Sequence, residues 1–158
     1  MLDPFVRRFI RASLLWLGFG VVLGVWMALS PAAVAYRPAH VHANLLGFVS
    51  MMIFGVAYHV IPRFTGHPLH SRRAANVHVW VANAGLAAMV GGFILRVHLW
   101  LPGSALLGVG GAAEALGAFL FIYNLWRTMD EPVRRPGALP TLDRTSPTTR
   151  SAAIRAAS

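Results

Sequence analysis

The most constraining feature of this sequence is a set of four long apolar blocks separated by short breaks. The blocks cover residues 9–29, 39–61, 74–97 and 104–126. With a rise of about 1.5 Å per residue, a helix over any one of them crosses a hydrocarbon core of ~30 Å. Backbone amides in lipid must be satisfied within their own segment, and the alternating pattern of barrel strands is absent. We therefore expect an all-α fold, an integral membrane bundle of four helices.

Prolines mark the ends of the blocks. Ser30-Pro31 predicts the end of the first helix, and Pro62 predicts the end of the second, because proline lacks the amide hydrogen that a helix interior needs. Pro102-Gly103 predicts the break between the third and fourth helices.

The composition excludes several classes of function. The chain of 158 residues is 56% hydrophobic and only 12% charged, which is unlike an ordinary soluble domain. It has no cysteine, so disulfides, thiolate nucleophiles, iron–sulfur clusters and covalently attached c-type haem are excluded. The net charge of +9 comes from arginines between the blocks, which indicate membrane topology and not a nucleic-acid partner.

The distribution of arginine predicts the orientation. Arg37 and Arg96 fall on one side, and the other twelve arginines fall on the opposite side. The positive-inside rule then places both termini in the cytoplasm of a bacterial-type inner membrane, with the second helix running from outside to inside. A cleaved signal peptide is the alternative for the N-terminus, since VRRFIR is basic and AVA precedes Tyr36, but the apolar stretch has the length of a membrane span. The domain of four helices is expected over 1–129, and the Pro-, Ser-, Thr- and Arg-rich segment 130–158 is expected to be a disordered basic cytoplasmic tail.

Histidines within the apolar blocks are the candidate functional residues. An ionisable group inside a membrane is costly and usually has a function, which singles out His42, His59 and His78. His98 lies near a helix end, where an interfacial role is equally consistent with the sequence. His67 and His70 lie in the HPLHSRR loop and are interpreted as interfacial.

Helix rise separates these histidines into two tiers. His42 and His59 are about 25 Å apart along one helix, so one metal ion does not reach both. His59 is expected to lie level with His78, and His42, with His40, level with His98. A b-type haem needs one or two imidazoles from facing helices, which either tier offers in depth. The predicted cofactor-binding residues are His40, His42, His59, His78 and His98, with Arg63 as a partner for a haem propionate.

Two other chemistries are weaker alternatives. A copper or zinc site needs three or four ligands at one depth, and its candidates are His42, His59 and His78. No acid pair, catalytic triad or phosphate-binding loop is present, so no catalytic residue is predicted. Glu114 and Asn83 share a depth near the midplane and are interpreted as an interhelical hydrogen bond, or as part of a proton relay.

The segment HVHANLLGFVSMMIFGVAYHVIPRF and the following TGHPLHSRRAANVHVWVANAGL resemble small stand-alone membrane proteins related to subunit I of haem-copper oxidases of the cytochrome c and nitric oxide reductase types. They also resemble parts of NnrS-type haem proteins linked to nitric oxide. In the oxidase family the second helix carries a low-spin haem ligand near its outer end, and the resemblance implies that His42 takes this place, with His40 beside it. It further implies that His59 and His78 belong to the same constellation. The helices that hold the binuclear centre of a full subunit I are missing here, so we expect no complete oxidase from this chain alone.

The resemblance and the histidines together predict a membrane protein with one or two b-type haems. Its expected role is respiratory electron transfer, or the sensing or handling of nitric oxide or oxygen. The alternatives are a cofactor-free accessory or assembly subunit of a respiratory complex, and a copper- or zinc-handling membrane protein. The glycine-rich helix faces also suggest a homodimer.

Overall fold

The computed structural model describes residues 2–99 and 101–130, which fold into four long helices. They are α1 Pro4–Leu29, α2 Pro31–Thr65, α3 Arg72–Val97 and α4 Pro102–Asp130. Each contains one of the predicted blocks, and each is long and apolar enough to cross a membrane. The prediction of an all-α membrane bundle is confirmed. The predicted tail lies outside the described residues, apart from Asp130, which ends α4.

α2 is the least regular helix of the bundle. It begins with a 3₁₀ stretch over Pro31–Tyr36, continues as α-helix over Arg37–His42, widens to a π-helix over Ala43–Ser50, and returns to α-helix over Met51–Thr65. A π-helix of this length is rare, and π segments are frequent at functional sites. The irregular part of α2 directly follows the first two histidines of the chain.

Pro62 does not end the second helix as predicted. The helix continues to Thr65 and stops at Gly66, whose φ of 71° is the left-handed conformation that glycine adopts readily. The last turns are supported by side chains, because the Thr65 hydroxyl donates to the Ile61 carbonyl at 3.0 Å and Arg63 donates to the His59 carbonyl. These donors add bonds to the carbonyls of the last turns, whereas the carbonyl that Pro62 leaves without its intrahelical donor is that of Tyr58.

α3 and α4 form a closely packed hairpin whose contact is built on glycine. An ideal Cβ on Gly110 would lie 2.6 Å from the amide nitrogen of Met89, and one on Gly92 would lie 2.8 Å from the carbonyl oxygen of Gly103. Small residues let two helix backbones approach in this way within a membrane. The other face of α4 carries exposed apolar side chains such as Phe119 and Trp126, as a face toward lipid requires.

The arginines give the bundle two different ends. The basic end contains the start of α1, the α2–α3 loop and the end of α4, with Arg7, Arg8, Arg11, Arg63, Arg72, Arg73 and Arg127. Arg72 forms an ion pair with Asp3 there, and Arg8 donates to the Asn76 side chain at 3.0 Å. The opposite end contains the α1–α2 and α3–α4 connections with Arg37 and Arg96. The cytoplasmic location of the basic end stays a prediction.

Candidate functional site

Two neighbouring histidines near the opposite end are held in the same way. The Nδ1 atom of His40 bonds to the Gly20 carbonyl of α1 at 2.9 Å, and Nδ1 of His42 bonds to the Pro38 carbonyl at 2.8 Å. A carbonyl oxygen only accepts, so each Nδ1 carries the hydrogen and each Nε2 keeps its lone pair in the neutral ring. A backbone carbonyl orients many metal-binding histidines by this same bond.

The glycine pair of α1 provides space for this part of α2. A Cβ on Gly24 would lie 2.9 Å from Cε1 of His40, and one on Gly20 would overlap the Asn44 side chain. The Asn44 amide in turn donates to the His40 carbonyl at 2.9 Å, at the start of the π segment. The Gly20-x-x-x-Gly24 motif therefore packs against polar side chains of α2.

His42 and His98 do not lie level as expected. The His42 ring packs on Phe93 of α3 with centroids 4.7 Å apart, whereas the His98 ring bonds through Nε2 to the Tyr36 hydroxyl at 3.0 Å. The reason is the distance along each helix from the Tyr58–His78 contact. His42 lies 16 residues from Tyr58 on α2, and the residue at a matching distance from His78 on α3 is Phe93, 15 residues away. His98 lies beyond them, at the end of α3, and its Nε2 already has a partner.

His59 lies at the basic end with its ring turned to an arginine. Its Nδ1 accepts from the Arg63 guanidinium at 2.8 Å, because an arginine nitrogen only donates. The hydrogen of the neutral ring is then on Nε2, which leaves no free nitrogen lone pair for a metal ion. Arg63, the predicted partner of a haem propionate, uses one guanidinium nitrogen for its bonds to His59, and its propionate role stays a prediction.

His78 is fully buried in an aromatic shell to which the other three helices contribute. Phe9 of α1 and Phe54 of α2 both have ring centroids 4.8 Å from the His78 ring. Phe121 of α4 follows at 5.9 Å, and the Tyr58 hydroxyl bonds to Nδ1 of His78 at 3.1 Å. The Nε2 atom of His78 is buried without a hydrogen-bond partner.

Two polar groups lie beside the His78 ring and the start of α3. The Asn124 amide is held by the backbone of Ser71, since its oxygen accepts from the Ser71 amide at 2.8 Å and its nitrogen donates to the Ser71 carbonyl at 2.9 Å. The Tyr58 hydroxyl can both donate and accept, so its bond to Nδ1 of His78 is compatible with either tautomer of the ring.

The described part of the chain brings the predicted ligands into no common cluster. Within residues 2–99 and 101–130, no group of three or more His, Cys, Asp or Glu side chains has the arrangement of a metal site. His42 is far from His59 and His78 along the bundle. His40 and His42 fit an iron or copper ligand by the state of their rings, and His59 does not, because its Nδ1 accepts from Arg63. The ligand roles themselves stay predictions.

The expected bond between Glu114 and Asn83 is not found. The Asn83 amide instead donates to the Val79 carbonyl at 2.7 Å and accepts from the Trp16 indole at 3.3 Å. The backbone of Glu114 lies against Gly85, and its Oε1 atom is buried without a partner. The two side chains do not meet because Asn83 faces α1 whereas Glu114 faces α3.

Sequence reasoning missed three residues of the His78 environment: Tyr58, Asn124 and Gly117. Tyr58 and Asn124 are polar groups inside apolar blocks, which is the same signal that singled out the histidines. Gly117 had no signal, because nothing in a glycine-rich helix distinguishes the one glycine that faces a histidine.

Comparison with known proteins finds similarity to subunits of bacterial cytochrome c oxidases. No family model matches the chain. The chain is 29% identical over 157 residues to the Cbb3-type cytochrome c oxidase subunit CcoN1 of Stutzerimonas stutzeri, which covers 80% of this chain and 33% of that protein. It is 29% identical over 115 residues to cytochrome c oxidase subunit 1 of Rhodobacter capsulatus, over 57% of this chain and 22% of that protein.

A third relative extends the same pattern. The chain is 30% identical over 128 residues to the bacteroid cytochrome c oxidase subunit 1 homolog of Bradyrhizobium diazoefficiens, over 63% of this chain and 23% of that protein. The chain thus spans between 22% and 33% of the length of these curated relatives. The four apolar helices and these matches together show a multi-pass membrane protein that is related to subunit I of haem-copper oxidases.

Proposed function

We propose that this protein binds a b-type haem near the opposite end of the bundle, with His42 as the ligand and His40 as the neighbour that supports or replaces it. It would act in the inner membrane of a bacterium, in respiratory electron transfer or in the sensing or handling of nitric oxide or oxygen. The relation to oxidase subunit I supports a haem and an electron-transfer setting, and copper is the alternative cofactor.

The observation that carries the proposal is the state of the two imidazoles. Their Nδ1 atoms are bonded to backbone carbonyls, so both keep an Nε2 lone pair, which is the atom that haem iron requires. In the rival tier, His59 has the reverse arrangement, because its Nδ1 accepts from the Arg63 guanidinium. The π segment that follows His42 supports the proposal further, because π segments are frequent at functional sites.

Each residue of this region has a definite task in the proposal. The Pro38 carbonyl orients the ring of His42, and Phe93 limits its rotation from α3. Arg37 and Arg96 are the cations of the same end and suit the carboxylates of a haem edge. Haem would supply one-electron chemistry with two imidazole ligands, or gas binding with one axial position open.

The test is an absorption spectrum of the detergent-purified protein. We expect the α band of a reduced b-type haem in the wild type and its loss in His42→Ala. The control is His59→Ala on the same helix, which should keep the band because Nδ1 of His59 is already bonded to Arg63. Retention in His42→Ala with loss in His40→Ala would move the ligand to His40.

Other outcomes of this experiment favour the other functions. A haem band that survives both His42→Ala and His40→Ala contradicts the proposed site. A band that disappears in His59→Ala alone contradicts it as well. A colourless preparation that contains copper or zinc favours metal handling. A colourless, metal-free protein that co-purifies with oxidase subunits favours an accessory or assembly role. Crosslinking in membranes tests the proposed homodimer, which a purely monomeric result would remove.

A further inference from the structure

A groove on the lateral surface of the bundle runs between α1 and α3 and begins at the basic end. Its first part has a volume of about 280 Å³ and is lined by Arg8 and Arg11 of α1 and by Trp80 of α3. Ala12 and Leu15 continue the lining along α1. Leu15 and Trp80 are 76% and 66% exposed within two membrane helices, so this groove faces lipid.

The groove continues toward the middle of the membrane. A second part of about 420 Å³ shares Ala12, Leu15 and Asn83 with the first and extends to Phe19. Both polar atoms of the Asn83 side chain are already bonded within the protein, which leaves this part of the groove to apolar contacts. Phe19 follows Arg8 by 11 residues, or ~16 Å along α1. This length is about half of a hydrocarbon core of ~30 Å, so the groove covers the depth of one leaflet.

Two cations at the start of the groove are not neutralised by the protein. Arg8 donates to the Asn76 side chain at 3.0 Å, and its guanidinium carbon lies 5.9 Å from the centroid of the Trp80 ring. Neither contact removes the positive charge. Arg11 lies one turn further along α1, and no carboxylate of the described residues pairs with either arginine. Unpaired charge beside apolar side chains in a membrane is costly, so this pair favours an anionic ligand.

We infer that this groove binds one anionic glycerophospholipid of the leaflet at the basic end. The phosphate group lies against Arg8 and Arg11, because guanidinium groups match phosphate oxygens in charge and geometry. One acyl chain lies along Leu15 and Phe19, and Trp80 lies at the interface between the headgroup and the chain. Basic pockets between membrane helices bind anionic headgroups in this manner. The inference is independent of the haem proposal, since it uses none of the histidines.

Charge distinguishes this ligand from other occupants of a lipid-facing groove. A zwitterionic phospholipid brings its own ammonium group, which the two arginines repel. A second copy of the chain carries 14 basic residues against 5 acidic ones, so it offers little negative charge to the same two side chains. Free phosphate would satisfy the arginines but would leave the apolar part of the groove unfilled.

Native mass spectrometry of the full chain, released from a non-ionic detergent, measures the binding directly. The delipidated protein is titrated with phosphatidylglycerol, or with phosphatidylethanolamine that has the same acyl chains. We expect the first phosphatidylglycerol to bind at least about tenfold more tightly, because two cations act on its net negative charge. Glycerol 3-phosphate has the phosphate group without the acyl chains, and it should not displace the lipid at the same concentration.

Arg11→Gln should weaken phosphatidylglycerol binding about fivefold and leave phosphatidylethanolamine binding unchanged. The change removes no hydrogen bond or ion pair between described residues, and circular dichroism verifies that the helix content is retained. Arg7→Gln is the matched control, since it removes the same charge from α1 at an exposed residue that does not line the groove. This control should keep the wild-type affinity.

The wild-type comparison needs no variant, and equal affinities for the two lipids overturn the inference. Equal losses in Arg11→Gln and Arg7→Gln overturn it as well, because they indicate a general attraction to the basic end. Displacement by glycerol 3-phosphate at the same concentration would replace the lipid by a free phosphate compound. A dimer that binds no phosphatidylglycerol would make a second copy of the chain the occupant and would also contradict the lipid site.

Discussion

At the scale of single residues, the partner of Nδ1 separates the intramembrane histidines into two kinds. His40 and His42 donate from Nδ1 to carbonyl oxygens, which leaves the other ring nitrogen able to bind iron. His59 accepts at Nδ1 from an arginine, which leaves an N–H donor at the other ring nitrogen. Three identical side chains thus differ in their ability to bind a metal ion, because a neutral imidazole carries only one ring hydrogen.

The contact between the Asn44 side chain and Gly20 of α1 leads to a prediction at the same scale. A Cβ on Gly20 would overlap the Asn44 amide, so Gly20→Ala should force this side chain away from the His40 carbonyl. We expect a loss of about 1–3 kcal/mol in the free energy of unfolding, as for other overpacked sites. Reversible unfolding in mixed detergent micelles measures it.

Gly18→Ala is the matched control on the same helix. A Cβ on Gly18 meets no atom within 4 Å, so this change should leave stability unchanged or raise it slightly through helix propensity. Equal losses in the two variants would show that the contact with Asn44 has no special importance.

At the scale of elements, the ends of α2 and α3 are stabilised in two different ways. α2 begins as a 3₁₀ stretch and ends at Gly66, with side-chain donors supporting the turns around Pro62. α3 begins at a conventional cap, since the Ser71 hydroxyl accepts from the Ala74 amide at 3.1 Å. The backbone of Ser71 is also bonded to the Asn124 amide, so this one residue joins the start of α3 to the end of α4.

Removal of the Ser71 hydroxyl should therefore destabilise the bundle measurably. Ser71→Ala removes the cap and retains the backbone bonds to Asn124, and we expect a loss of about 1 kcal/mol in the free energy of unfolding. Ser104→Ala, at an exposed position of the first turn of α4, is the control and should have a smaller effect. A larger loss in the Ser104 variant would contradict the assignment of the cap.

At the scale of the whole molecule, the bundle is asymmetric along its axis. The basic end combines seven arginines of the described residues with the start of the groove between α1 and α3, and the opposite end combines two arginines with His40 and His42. The proposed haem site therefore lies at the end with fewer arginines. The positive-inside rule predicts that the basic end faces the cytoplasm.

The absence of native cysteine makes this orientation simple to test. Leu101→Cys introduces a thiol at an opposite-end residue that is 93% exposed, and Pro68→Cys introduces one in the exposed loop of the basic end. A membrane-impermeant thiol reagent added to spheroplasts should label the first variant and not the second. Both variants should react after the membrane is permeabilised, and labelling of Pro68→Cys alone in intact spheroplasts would reverse the orientation.

The number of helices and most of their ends were predictable from local sequence. Hydropathy identified all four helices, and Ser30 and Pro102 mark ends that the structure retains. Pro62 was misjudged because the donors that support its turn are side chains whose orientation depends on the folded helix. The prediction that His42 and His98 lie at the same depth was wrong because the sequence does not show which residues of the two helices are in contact. The Tyr58–His78 hydrogen bond in the structure sets this register.

The sequence by itself determined that this chain is a membrane bundle with histidines at two depths. That conclusion needs only apolar length and the requirement that backbone amides in lipid bond within their own segment, both of which are local properties. Only the tertiary structure decided the partners of His40 and His78, which are the Gly20 carbonyl of α1 and the Tyr58 hydroxyl of α2. No spacing along one helix specifies these partners, whereas the Pro38 carbonyl for His42 and the Arg63 guanidinium for His59 lie four residues away on the same helix.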